Sequence, residues 1–296
     1  MANYLDYFGL KAAPFSMTPD PSFAFATREH EQALLKMTFY TDERQGLFLL
    51  MGEVGTGKTT VAKLAVDNWK SQRDRYTVGQ VSDPSPPSPA AFLRLILASF
   101  LQPVLRNLLD LKAALRVFLL EEYQAGRTVI LVLDEAQTIH PKNLDTLHAL
   151  TNEQTQTQKL LQIVLLAQPN FKFKLQQKAA LRSRVAGGHT LDGLTPQDSV
   201  ALLRHRVAVA GGDFDRMFDP STHRLLYAAT HGVPRDLCIL CNAALVAAYS
   251  SGRGLVDEAL LRDALAGLSF KQWADVPLTE EEGVTHEHTA KLGGAA

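Results

Sequence analysis

The rhythm of hydrophobic and polar positions changes along the chain, and the changes mark its elements. Leu47 to Met51, Val129 to Leu133 and Leu161 to Ala167 are short and mostly apolar, and Thr77 to Val81 reads as a further strand. Runs of that length with little alternation predict strands buried on both faces of a sheet. Arg28 to Asp42, Thr59 to Trp69, Ala90 to Leu101, Leu108 to Gln124 and Asn143 to Asn152 carry the helical period instead. In the first of these, Ala33, Leu34, Met37 and Tyr40 share one face. Helices alternating with buried strands predict an α/β fold, a mostly parallel sheet with helices on both sides.

From Thr195 the pattern is helical only. Thr195-Pro196-Gln197-Asp198 reads as an N-cap followed by Pro at the first helical position. Asp219 to Thr222 opens a second helix, Val233 to Tyr249 is a third and Leu255 to Leu268 a fourth. At the other end, Tyr4, Tyr7, Phe8, Pro14, Phe15 and Pro19 predict an irregular strap packed onto a larger body. Ser82 to Pro89 reads as a stiff linker between strand and helix. The expected organisation is a strap (1–28), an αβα domain (29–193), a small all-α lid domain (194–270) and a disordered acidic tail (271–296).

Composition narrows the class. The chain has 296 residues, 46% hydrophobic and 21% charged, with a formal net charge of −1. It is therefore not polybasic as a whole. The tail carries −3 of that charge, which leaves +2 on the rest. Two cysteines exclude a disulfide framework. Cys238 and Cys241 share one face of an apolar helix and read as buried small residues. No apolar run approaches the ~20 residues of a membrane helix, and the first residues lack a signal peptide pattern. A cytoplasmic protein without a transmembrane segment is expected.

The chemistry begins with Gly52-Glu53-Val54-Gly55-Thr56-Gly57-Lys58-Thr59-Thr60, a complete phosphate-binding loop. Its glycines let consecutive N–H groups turn inward onto phosphate oxygens, and the following helix adds its positive end. Lys58 is expected to reach the β- and γ-phosphates of ATP, and Thr59 to ligate Mg²⁺. Asp134 and Glu135 follow Val129 to Leu133, so they stand at a strand's C-terminal end, where open α/β sheets bind ligands. Asp134 is expected to hold Mg²⁺ through water, and Glu135 to act as general base on the attacking water. Gln168, at the tip of a neighbouring strand, is placed to sense or orient that water.

Phe171 to Arg184 holds Lys172, Lys174, Lys178, Arg182 and Arg184 and no acid. It reads as a solvated helix face, as a nucleic-acid contact, or as the source of an arginine offered to a neighbouring subunit's γ-phosphate. Arg184 is the first candidate for that arginine, and Arg182 its rival. His231-Gly232-Val233-Pro234-Arg235 opens a lid helix from which Arg235 would project toward the nucleotide and couple phosphate state to lid angle.

Taken together, the phosphate loop, Asp134-Glu135, Gln168, Arg184 and Gly-x-Pro-Arg235 resemble an AAA+ ATPase. More closely, the chain is similar to the general secretion pathway protein A group (ExeA/GspA-like). Tyr4 to Leu10, Pro14-Phe15, Thr18 to Pro21, Asp134 to Gln137, Lys159 to Pro169 and Leu203 to Arg206 extend the similarity over about residues 1–268. The resemblance implies a P-loop AAA+ sandwich with a helical lid, and ATP with Mg²⁺ as cofactors. It implies hydrolysis in a homo-oligomeric ring or arc, with Arg184 completing the neighbour's site. It further implies a protein partner in a secretion or type IV pilus-like system. Members with a secretion role carry a membrane helix and a peptidoglycan-binding domain after the ATPase, and neither is read here. Transposition ATPases of the TniB/TnsC type are also similar and load onto DNA. Regulation of transposition target selection is therefore the alternative.

Overall fold

The computed structural model describes residues 4–268 apart from 19, 24 and 104. The expected acidic tail lies outside the described residues. Five strands form one parallel sheet: β1 (Leu47–Gly52), β2 (Tyr76–Val81), β3 (Thr128–Leu133), β4 (Leu161–Ala167) and β5 (Val185–Leu191). Their order is β2-β3-β4-β1-β5. Every residue of β3 and β4 is buried, which is why both are written as apolar runs. The register pairs Leu133 with Leu165 and Met51 with Ala167. The C-terminal ends of β1, β3 and β4 therefore lie side by side.

The helices, in chain order, begin with α1 (Tyr4–Phe8), α2 (Arg28–Asp42), α3 (Lys58–Ser71), α4 (Pro89–Ser99), α5 (Leu108–Gln124) and α6 (Pro141–Thr151). Then come α7 (Phe171–Gln176), α8 (Ala179–Arg182), α9 (Pro196–Val209), α10 (Phe214–Met217), α11 (Thr222–Thr230), α12 (Pro234–Ser250) and α13 (Glu258–Gly267). One sheet face, with Leu49, Leu131 and Leu165, is covered by α4, α5 and α6 through Phe92, Phe118 and Leu147. The other, with Phe48, Ile130 and Val164, is covered by α2 and α3 through Met37, Ala65 and Trp69. Each such large apolar side chain contributes about 1.5–3 kcal/mol when fully buried. The layers are thus anchored independently of the polar loops at the sheet's ends.

A third core joins α9 to α13 around Leu203, Phe218, Leu240 and Leu261, and it includes Leu10, Phe15 and Phe23 of the N-terminal segment. The strap is therefore built into the C-terminal helical core. Arg206 of α9 ties it there, donating to the carbonyls of Pro14 (2.7 Å), Ser16 (3.0 Å) and Phe23 (3.4 Å). Cys238 and Cys241 are free thiols buried in this core, and burial raises both above the usual thiol range.

Several elements differ from expectation. The strap contains a helix, α1, and a 3-10 turn at Pro21–Phe23. The short α10 adds a helix to the four expected after Thr195. The helix expected to reach Leu101 stops at Ser99, and Leu101 turns left-handed at φ 57°. The Ser82 to Pro89 linker is pinned, since buried Asn143 donates to the Pro86 carbonyl at 2.6 Å and Ser88 caps α4. β5 was not anticipated. It is an edge strand with alternating exposure and two glycines, so it carries no apolar run. Among the described residues, no helix is long and apolar enough to cross a membrane.

Candidate functional site

The phosphate loop follows β1 and leads directly into α3, with Gly57 at the helix N-cap. Gly55 and Gly57 take φ of 87° and 100°, which side-chain-bearing residues rarely adopt. A Cβ on Gly55 would lie 2.6 Å from Cβ of Arg235 and 3.2 Å from Cγ1 of Val233. The first turn of α12 is therefore seated on the loop. Lys58 is 6% exposed, and its Nζ donates to the carbonyls of Gly52 and Glu53, both at 2.8 Å. Burial pulls this ammonium below the usual lysine range. The carboxylates of Glu135, Asp134 and Glu53 oppose that pull, and Arg235 adds to it.

The level ends of β1, β3 and β4 bring the acids to the loop. Thr59 Oγ1 donates to Asp134 Oδ2 at 3.0 Å, and Asp134 Oδ1 accepts the Glu135 N–H at 2.8 Å. A hydroxyl and a carboxylate oxygen so placed are hard oxygen donors of the kind Mg²⁺ takes. Glu135 sits at φ 51°, a left-handed turn that ends the strand and starts a 3-10 turn, Ala136–Thr138. Its Oε2 accepts from Gln168 Nε2 at 3.2 Å and from Gln137 Nε2. Gln137 Oε1 accepts the Gln168 N–H at 3.1 Å. Two amide side chains thus fix one oxygen of the glutamate. A cavity of about 230 Å³ opens beside Thr59 and Asp134, lined also by Lys63, Asp67, Gln80 and Ser82 among others.

The structure brings Lys58, Thr59, Asp134, Glu135, Gln168 and Arg235 together. It does not bring Arg182 or Arg184. Both are exposed and precede β5, whose first residue pairs with Leu47 at the start of β1. The phosphate loop lies at the other end of β1, about 20 Å away at ~3.3 Å per residue. Neither arginine can serve its own loop. Lys174 and Lys178 each have partners within the chain. Lys174 donates to the carbonyls of Gln137 (2.5 Å) and Ile139 (2.8 Å), and Lys178 pairs with Asp145 at 2.7 Å.

Comparison with known proteins identifies the family. An AAA domain model matches residues 41–175. General secretion pathway protein A of Aeromonas hydrophila is 33% identical over 256 residues, 84% of this chain. The chain is an AAA+ ATPase of the general secretion pathway protein A group. It spans 45% of that relative's length. The AAA+ fold recurs in the Drosophila ORC bound to DNA (TM-score 0.67, 16% identity, 86% of this chain and 64% of that one). It recurs also in the Aeropyrum pernix ORC2 protein (TM-score 0.59, 18% identity, 86% and 71%). At these identities the likeness shows the fold.

In this AAA+ chain three site residues escaped the sequence reading: Gln137, Lys174 and His30. Gln137 stands in the Asp134 to Gln137 stretch, and a polar residue two positions after the general-base candidate was the available signal. Lys174 looked like one of a charge run. His30, on α2, has its Nε2 3.0 Å from the Thr56 carbonyl, and a lone histidine gave no signal.

Proposed function

We propose that this AAA+ protein binds and hydrolyses ATP with Mg²⁺ at interfaces between subunits, and uses the cycle to drive or regulate assembly of a secretion or type IV pilus-like system. The observation that carries this reading is the convergence of Lys58, Thr59, Asp134 and Glu135 at the sheet's C-terminal edge. Lys58 and the loop N–H groups bind the β- and γ-phosphates. Thr59 would hold Mg²⁺ directly and Asp134 through water, and the ion supplies charge neutralisation on the phosphates. Glu135 takes the proton of the attacking water at Oε1, since Oε2 is occupied by Gln137 and Gln168. Gln168 orients that water. Arg235 reads the phosphates from the lid. Arg184 or Arg182 of a neighbouring copy, unable to reach its own loop, stabilises charge developing on the transferred phosphoryl group.

Turnover of Mg-ATP tests the assignment. Lys58→Ala and Glu135→Gln are each expected to lower it by about 100-fold or more, and retention of wild-type turnover in either sinks it. Arg184→Ala and Arg182→Ala, assayed separately at high protein concentration, identify the trans arginine. Full activity in both refutes the interface site.

A second reading, DNA-loaded regulation of transposition, is favoured by one feature. Lys172, Arg182 and Arg184 are exposed on one segment, with no ion pair to an acidic side chain among the described residues. ATP-dependent duplex binding that weakens steeply between 50 and 200 mM salt would select it. No binding at low salt selects the assembly reading.

A further inference from the structure

His30 lies outside the reacting groups. It sits in the first turn of α2, 8% exposed, and joins two parts of the chain that are remote in sequence. Its Nδ1 lies 2.7 Å from Thr27 Oγ1 and accepts the Thr27 N–H at 3.4 Å. Its Nε2 lies 3.0 Å from the Thr56 carbonyl inside the phosphate loop. A carbonyl only accepts, so Nε2 carries the proton. An amide N–H only donates, so Nδ1 is bare. The two ends of the ring, argued separately, require the same neutral tautomer.

The consequence lies in the peptide it holds. No peptide bond in the described residues is cis, and in a trans peptide the C=O and the following N–H point in opposite directions. Drawing the Thr56 carbonyl onto His30 therefore aims the Gly57 N–H the other way, away from the ring. The ring is also packed on the loop itself, because a Cβ on Gly57 would stand 2.5 Å from Nε2. Thr27, which holds the other side of the ring, is where the strap passes into α2.

We propose that His30 is a positioning residue for phosphate binding: its Nε2–H fixes the Thr56–Gly57 peptide so that the Gly57 N–H faces the phosphate, and Thr27 holds the ring in the tautomer that does this. The inference rests on the nucleotide reading given above.

ADP titration of the full chain tests it. Wild type is expected to bind ADP, and if it does not, the nucleotide reading fails first. His30→Ala is expected to weaken ADP binding about five- to tenfold, as loss of one structured hydrogen bond does. His30→Gln, whose amide can donate to the Thr56 carbonyl, is expected to recover to within about twofold of wild type. Equal ADP affinity in wild type and His30→Ala overturns the proposal. So does a His30→Gln variant that binds no better than His30→Ala, because a merely space-filling role would not discriminate in that way. If His30→Ala fails to fold, ring ¹⁵N NMR of the wild-type histidine decides. The Nε2–H tautomer supports the proposal and the Nδ1–H tautomer overturns it.

Discussion

Arg206 offers the most direct test of how the strap is held. Its guanidinium donates to three strap carbonyls, at 2.7, 3.0 and 3.4 Å, and lies 5.2 Å from the Phe23 ring centroid. The two shorter hydrogen bonds are worth about 1 kcal/mol each and the 3.4 Å one about half of that, and the ring contact adds about 0.5–1. Arg206→Ala should therefore lower the local stability of the strap by about 3 kcal/mol. At 1.4 kcal/mol per factor of ten, that is roughly a 100-fold loss of protection. The Lys11 amide, which donates to the Ala210 carbonyl across the strap and α9, reports it by hydrogen exchange. The Ile130 amide in β3, an interior strand, is the reference, since its core is separate from that of the strap. Lys11 should exchange about 100-fold faster while Ile130 changes little. Arg206→Lys should recover only part, because one ammonium cannot span three carbonyls as a planar guanidinium does. An unchanged Lys11 rate, or Lys11 and Ile130 accelerating together, would refute the claim that Arg206 holds the strap locally.

Other predictions address the site and the sheet. Gly55→Ala places a Cβ against Arg235 at a left-handed φ, so ADP affinity should fall at least tenfold, an expectation of about 1–2 kcal/mol from backbone strain alone. Titration with ADP checks this, and unaltered affinity would show that α12 is not seated on the loop. Glu122 accepts from Arg127 Nε and Nη2, both at 2.7 Å, and from Thr77. The Arg127 pairing holds its carboxyl below the usual range, with burial opposing. A depressed native value adds stability above the unfolded pKa of ~4.3 that is lost as pH falls through the native one. Glu122→Gln should thus cost about 1–2 kcal/mol at pH 7 by urea denaturation, and the difference should shrink below pH ~4. Lys58 has the opposite sign. Its native value is depressed by burial, so the charged lysine opposes folding at neutral pH. That penalty should fade as pH rises through the native value, and Lys58→Met should abolish ADP binding, so binding retained in an ADP titration would contradict the assignment.

Much of the architecture was legible because burial leaves a simple mark. β3 and β4 are covered on both faces, so composition alone reports them, and the loop after β1 is a local motif whose glycines answer to local backbone geometry. β5 was hidden because it is an edge strand, and its VAGGHTL alternates. The basic stretch read as one unit and is three. Lys174 braces the Gln137 to Ile139 turn, Lys178 pairs with Asp145, and the two arginines stay exposed at the far end of the sheet. Charge type is written in sequence, but the partner that uses the charge is not.

Local sequence suffices for the phosphate loop, the acids at the end of β3, and the apolar strands that carry them, because each depends on neighbours along the chain. Tertiary structure alone decided that the strap belongs to the C-terminal helical core. It also decided that Gln137 and Gln168 share Glu135, that Arg235 leans on Gly55, and that His30 grips the loop. Those contacts depend on the crossover that sets β1 beside β4 and on helices packing across the sheet. No local rule of period or spacing encodes which remote side chain arrives at a given carbonyl.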